Sequence, residues 1–281
     1  MIPQEFDYSA PTTLQETLQL IADGERKILA GGMSLIPMMK LRLATPEQVV
    51  DLGRVTGLNH ILESGGMISI GATATHHDIE TSSVIRARCP LLVEAASNIG
   101  DVQVRNRGTI GGSIAHADPA ADYPATLLAL EAQVRLASAK AERTVAAADF
   151  FMDAFTTALE PGEIVVEVVV PAEESNEGYR YEKAPHPASG FAIVGVSARI
   201  KKSGAKISMA RIGVTGMGAH AFRATEAERL LESGATVDQA VATVGEGVEA
   251  NADLYASAEY RKHLARVRAT RAISVALSRA S

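Results

Sequence analysis

The 281-residue chain is 47% apolar and 21% charged with a formal net charge of −6 at pH 7, and no dense Lys/Arg stripe runs through it, which excludes a nucleic-acid footprint. No apolar run approaches the ~18 residues of a membrane span. The N-terminal MIPQEFDYSAP lacks the basic and apolar regions of a secretory signal, so a cytoplasmic protein is expected.

A short strand over residues 6–8 opens the chain. Thr13 then starts a helix, with Glu16 in capping-box position and Asp23-Gly24 as its stop. Residues 27–30 read as a strand running into Ala30-Gly31-Gly32-Met33-Ser34, followed by a short apolar helix over 35–41 and a strand over 48–52. This βαβ-like rhythm makes residues 1–55 a first lobe. The texture then changes to a strand over 67–72, a helix start at Thr75-His76-His77-Asp78 and a helix over 90–98. A second glycine pair, in Thr109-Ile110-Gly111-Gly112-Ser113, precedes a helix over 124–130. Strands over 133–137, 143–146 and 163–170 complete a second lobe, residues 56–175. The last of these is rich in β-branched residues and ends at Pro171.

The polar stretch 172–178 marks a domain boundary. Beyond it come strands over 179–183, 193–201 and 206–214, with Gly204 at a hairpin turn, then helices over 225–233, 237–248 and 260–279. Residues 176–281 therefore read as a C-terminal domain, a three-stranded antiparallel sheet with a helical cluster. The fold class is α+β.

The two glycine segments carry most of the chemical information. Each offers adjacent residues without Cβ and a nearby serine, so the backbone can turn sharply and present successive N–H groups to an anion. A ligand with two phosphates, or one long enough to be gripped twice, fits such a pair. Neither segment is G-x-G-x-x-G or G-x-x-x-x-G-K-[ST], so the Rossmann and P-loop mechanisms are unsupported. A β-carbon at Gly32 or Gly112 is expected to clash.

Other polar residues have plainer readings. Asp118 and Asp122 are helix caps or acceptors for sugar hydroxyls. His76 and His77 are adjacent on a helix, point about 100° apart, and lack metal-ligand spacing. Arg105, Asn106 and Arg107 form a solvated turn or a docking rim. Met33, Met38 and Met39 are core filler or an apolar patch beneath an aromatic ring. The single cysteine, Cys89, is expected buried and inert; alone it can form no internal disulfide and hold no iron–sulfur cluster.

AGGMSLIPMMKLRLATPEQVVDL (Ala30 to Leu52), IGDVQVRNRGTIGGSIAHADPAADYP (Ile99 to Pro124) and FRATEAERLL (Phe222 to Leu231) resemble the FAD-binding medium subunits of molybdenum hydroxylases, carbon monoxide dehydrogenase medium chains above all and xanthine dehydrogenase flavoprotein domains more distantly. The resemblance spans essentially the whole chain. It implies a vanillyl-alcohol-oxidase-like FAD fold of two α/β lobes plus the C-terminal domain. It also implies that Ala30, Gly31, Gly32, Met33, Ser34 and Leu35 bind the FAD diphosphate. Thr109, Ile110, Gly111, Gly112 and Ser113 would line the phosphates and ribityl chain, Asp122 would contact that chain, and Lys183 and Ile193 would approach the ring. Met33 stands where the family often has His or Gln, and Ser113 where it often has Asn.

By the same resemblance the subunit relays electrons and has no catalytic or metal-binding residue of its own. They arrive from a small subunit with two [2Fe–2S] clusters, in a dimer of heterotrimers with a large molybdopterin subunit, and leave to quinone, dioxygen or NAD. The complex would be cytoplasmic or held at the inner membrane face through partners. The alternatives are a stand-alone FAD oxidoreductase acting on a small organic substrate and a non-enzymatic dinucleotide-binding scaffold.

Overall fold

Among the described residues, three sheets of three or more strands follow one another along the chain, and a two-stranded ribbon, Phe151–Asp153 with Thr156–Thr157, makes a fourth. In the computed structural model, which describes residues 2–280, the strands Asp7–Ser9, Gln48–Asp51 and Lys27–Leu29 form a small parallel sheet in that spatial order. Parallel neighbours need crossovers, and the helices Leu14–Leu20 and Leu35–Lys40 lie on them. Thr13 caps the first helix by accepting from the Glu16 N–H at 3.2 Å, but the Glu16 carboxylate reaches back to the Thr12 N–H, one residue short of a capping box. The apolar floor of this lobe, Ile21, Val50 and Leu52, continues into Ala137, Ile164 and Val166 of the next sheet, so the two share a core.

The second sheet is antiparallel, in the order Ile61–Ser64, Met67–Gly71, Ile164–Pro171, Gln133–Ala137, Glu142–Ala146. The 164–171 strand sits at its centre, which accounts for its β-branched run; Val168 and Val170 are completely buried. The 61–64 strand escapes the sequence reading because it is a mostly exposed edge, closed onto its neighbour by Gly65 and Gly66 at positive φ.

A glycine turn at 111–112 is not what forms. Both glycines lie in the first turn of a helix, Ile110–His116, capped by Thr109. Packing requires it: a Gly111 β-carbon would lie 2.6 Å from the carbonyl oxygen and the β-carbon of Ala72. The helix thus rests directly on the end of the 67–71 strand.

Every residue of the helix Asp122–Ala129 is buried, as a helix apolar on nearly all sides must be. It packs between the Pro90–Ser97 helix and the C-terminal sheet. That sheet has four strands, Glu177–Pro185, Ala192–Ser203, Lys206–Thr215 and Phe222–Arg223; the fourth is too short to leave a periodic signal. Alternation along 192–203 gives each face a partner. Ser197 meets Thr126 of the central helix at 2.9 Å, while Val196, Ala198 and Ile200 join the core shared with Ala265, Ala269 and Ala272 of the long helix Ala258–Arg279. The helix expected over 237–248 ends early, as Val237–Ala242, before Gly245 and Gly247 at positive φ.

Gly213 lets the central helix approach this sheet, since its β-carbon would lie 1.9 Å from the Ala125 carbonyl oxygen. Gly213→Ala is expected to cost about 3 kcal/mol of stability by overpacking. A denaturation midpoint equal to wild type would contradict that seating.

Candidate cofactor site

A cleft of ≈ 880 Å³ opens where the two lobes and the C-terminal domain meet, within the roughly 300–1,000 Å³ usual for cofactor sites. The first lobe contributes Ala30 to Leu35, the second Thr109, Gly111, Gly112, Ser113 and Asp122, and the C-terminal domain Ser189, Gly190 and Phe191. The glycine segments are pressed together. A Gly31 β-carbon would lie 2.0 Å from the Arg107 carbonyl oxygen and 2.7 Å from the Gly108 Cα, and one at Gly112 would lie 3.8 Å from the Ala30 β-carbon.

Three of the expected residues are not on this wall. Ile110 is fully buried behind it, Ile193 packs against the C-terminal core, and Lys183 is turned into an ion pair beneath it. Phe191, two residues before Ile193 and partly exposed, lines the cleft instead.

The two segments differ in what their main chain offers. Among the described residues, the N–H groups of Gly31, Gly32, Met33 and Ser34 donate no hydrogen bond within the chain. Gly32, at φ +78°, supplies the left-handed turn that such a corner requires. In the second segment the N–H groups of Ile110 to Ser113 are already used. Ile110 donates to Ala74 O at 3.0 Å, Gly111 to Ala72 O at 2.9 Å, Gly112 to Thr109 Oγ1 at 3.1 Å and Ser113 to Thr109 O at 3.0 Å. The expectation of free amides in both segments is therefore corrected for the second, which offers hydroxyls and a close-packed floor. The steric expectation shifts as well. Gly32 is restricted by its φ and by the Ile36 side chain, but a β-carbon at Gly112 is crowded only by the Thr109 hydroxyl, at 2.8 Å, whereas Gly31 and Gly111 abut main chain.

Asp122 is no cap: Ala121 holds that position, and the Asp122 carboxylate faces inward. It takes Lys183 Nζ at 2.8 and 2.9 Å and the Tyr181 hydroxyl, and Lys183 also donates to Asn98 O at 2.8 Å. Burial pushes the Asp122 pKa up, against the opposing pull of Lys183 and Tyr181. Asp118 accepts from the Ala120 N–H at 2.8 Å and sits on the cleft wall.

His76 is a wall residue that sequence reasoning passed over as a mere helix start. Thr75 and Asp78 form a full capping box, which places residue 76 in the first turn facing inward. Its Nδ1 lies 3.2 Å from the Tyr123 hydroxyl, and the ring packs on Gly108, whose β-carbon would be 2.5 Å from Nε2. Burial, with Arg105 adding to it, lowers the His76 pKa to about 4, so the ring is neutral at pH 7. His77 is exposed and points away.

Residues 4–173 match the family described as the FAD binding domain in molybdopterin dehydrogenase, and residues 179–276 match the CO dehydrogenase flavoprotein C-terminal domain. The chain belongs to this flavoprotein family. It is 39% identical over 285 residues to the carbon monoxide dehydrogenase medium chain of Hydrogenophaga pseudoflava, covering 99% of each. It is 37% identical to the 6-hydroxypseudooxynicotine dehydrogenase complex subunit alpha of Paenarthrobacter nicotinovorans, covering 100% of this chain and 97% of that one. The solved carbon monoxide dehydrogenase from Hydrogenophaga pseudoflava superposes with a TM-score of 0.97 at 40% identity over the full length of both chains. The α+β fold and FAD as the cofactor follow from membership in the family.

Two local features qualify the site of this flavoprotein. Met33, 39% exposed, brings a thioether to the cleft wall and leaves its own N–H free. Arg105 is a brace and not a free rim cation: it holds Glu80 at 2.8 Å and the carbonyls of Ile99 and Gly100 at 3.2 Å. Arg107 is exposed beside it. No helix among the described residues is long and apolar enough to cross a membrane.

Proposed function

We propose that FAD lies along the cleft with its diphosphate on the N–H groups of Gly31, Gly32, Met33 and Ser34, in the electron-transfer subunit of a molybdenum hydroxylase complex. The observation that carries this reading is the run of unpaired amides at a glycine corner seated against the second lobe. Such a concavity suits an anion, and the following hydroxyls of Thr109 and Ser113 suit the sugar-like chain. Asp122, oriented by Lys183 and Tyr181, accepts a hydrogen bond from that chain. Neutral His76 adds a polar edge without adding charge.

When bound, FAD supplies the redox chemistry, taking electrons from two [2Fe–2S] clusters on a small subunit and yielding them to an external acceptor such as quinone, dioxygen or NAD. Hydroxylation of substrate belongs to a large molybdopterin subunit. The chain's own side chains fit this division. Burial pushes the Cys89 thiol up to about 12, which leaves it neither nucleophile nor cluster ligand. The names medium chain and complex subunit borne by the relatives support assembly with further chains; a dimer of heterotrimers is our proposal for that assembly.

Purification and reconstitution test the reading. The chain is expected to carry FAD, to keep it oxidised in the presence of small organic substrates, and to have it reduced once the reduced iron–sulfur subunit is added. Reduction by an organic substrate without partners would make the protein a stand-alone oxidoreductase. A complex whose medium subunit takes up no FAD would remove the assignment.

A further inference from the structure

Residues 186–191 carry the wall that the C-terminal domain gives to the cleft, at Ser189, Gly190 and Phe191. His186 organises this segment. Its Nδ1 lies 3.2 Å from the Ala188 N–H, 3.1 Å from the Ser189 N–H and 3.1 Å from the Ser189 hydroxyl. A ring nitrogen that accepts from main-chain amides carries no hydrogen, so the proton of the neutral ring is on Nε2. That Nε2 is buried and meets no oxygen or nitrogen. The Tyr255 ring packs against the His186 ring, with centroids 4.2 Å apart at 89°, and this perpendicular geometry suits an Nε2–H directed at the aromatic surface.

Tyr255 is fixed in its turn. Asp253 Oδ1 accepts from the N–H groups of Tyr255 and Ala256 at 2.9 Å each, and Oδ2 takes Arg261 at 2.5 Å. Arg261, itself buried, donates its other arm to Ile193 O at 2.6 Å and Gly216 O at 2.8 Å. The far end of the wall is pinned there too, because the Ala192 N–H donates to Ala120 O and the Gly216 N–H to Pro119 O in the segment leading to Asp122.

We infer that residues 253–261 form a clasp that holds the cleft wall 186–193 in place for the cofactor, with Tyr255 and Arg261 as its positioning residues. Neither lines the cleft; both act through the segment they hold. The consequence for FAD rests on the reading under Proposed function, whereas the clasp itself does not.

Hydrogen–deuterium exchange of the full chain, paired with the rate of FAD release, tests it. Tyr255 is 66% exposed, so Tyr255→Ala leaves the core intact. It is expected to speed exchange at Ala188, Ser189 and Gly190 about fivefold or more and to speed FAD release similarly. Tyr255→Phe keeps the ring face and is expected to behave as wild type. Arg261→Met is expected to loosen Ala192 as well; should that variant fail to fold, the Tyr255 pair decides alone. Wild-type exchange in Tyr255→Ala, or equal damage from Tyr255→Phe, would overturn the clasp. Faster exchange with unchanged FAD release would overturn its bearing on the cofactor. If wild-type chain held no FAD, the cofactor reading would fail while the exchange comparison still decided the clasp.

Discussion

Gly31→Ala is expected to lose FAD by at least ~100-fold in affinity, equivalent to ~2.8 kcal/mol. The added β-carbon would sit 2.0 Å from the Arg107 carbonyl oxygen and 2.7 Å from the Gly108 Cα. Both obstacles are main chain, so no side chain can rotate away. The corner must lift off the second lobe, and its free amides move away from the hydroxyls of Thr109 and Ser113. Gly57→Ala is the control: its φ is +85°, but nothing lies within 4 Å of the new carbon. That variant should carry only about 1 kcal/mol of backbone strain and retain the flavin. Flavin content and titration of the apoprotein read both variants, and full flavin in Gly31→Ala would place the diphosphate elsewhere.

Lys183→Met should destabilise the protein by about 3–5 kcal/mol near neutral pH, because it strands a carboxylate that is almost wholly buried. Asp122 is 4% exposed and keeps only the Tyr181 hydroxyl as donor once Lys183 is gone. Burial already raises the Asp122 pKa, and removing the ammonium removes the largest opposing influence. An acid with a raised folded-state pKa binds more protons folded than unfolded, so stability falls as pH rises. The loss should therefore be small below the ordinary carboxylate value, about 3.9, and grow as pH climbs through the raised one. Melting curves across that range provide the measurement. Adding Asp122→Asn to Lys183→Met should recover much of the loss near neutral pH, since an uncharged amide no longer needs the cation. A variant equally stable at acid and neutral pH would mean that the Asp122 carboxyl is not shifted from its ordinary value, and so is not stranded by the loss of Lys183.

Much of the architecture was legible from local chemistry. Thr13 and Thr75 mark helix starts because their hydroxyls accept from amides three residues on. The β-branched run 164–170 marks a central strand because both of its faces are covered. Among the elements missed are the exposed edge strand at 61–64, the two-residue strand Phe222–Arg223 and the short helix Ser83–Arg88, although Ser82 caps the last by accepting from the Ile85 N–H. Each is too short or too exposed to impose a hydrophobic period.

The site divides along the same line. Sequence by itself determined the glycine pairs, their hydroxyl neighbours and the lone cysteine, all of which are properties of residues near one another in the chain. Only the tertiary structure decided which amides are free. Those of Ile110 and Gly111 are taken by Ala74 and Ala72, in the distant turn that follows the 67–71 strand, while those of Gly31 to Ser34 meet no such partner. It likewise put Phe191, in the loop before the 192–203 strand, on the cleft wall, and turned Lys183 of the 177–185 strand into the ion pair with Asp122 beneath it. A hydrogen bond or a wall is a relation between segments brought together by burial, and the residues that close it need leave no mark beside the residues it serves.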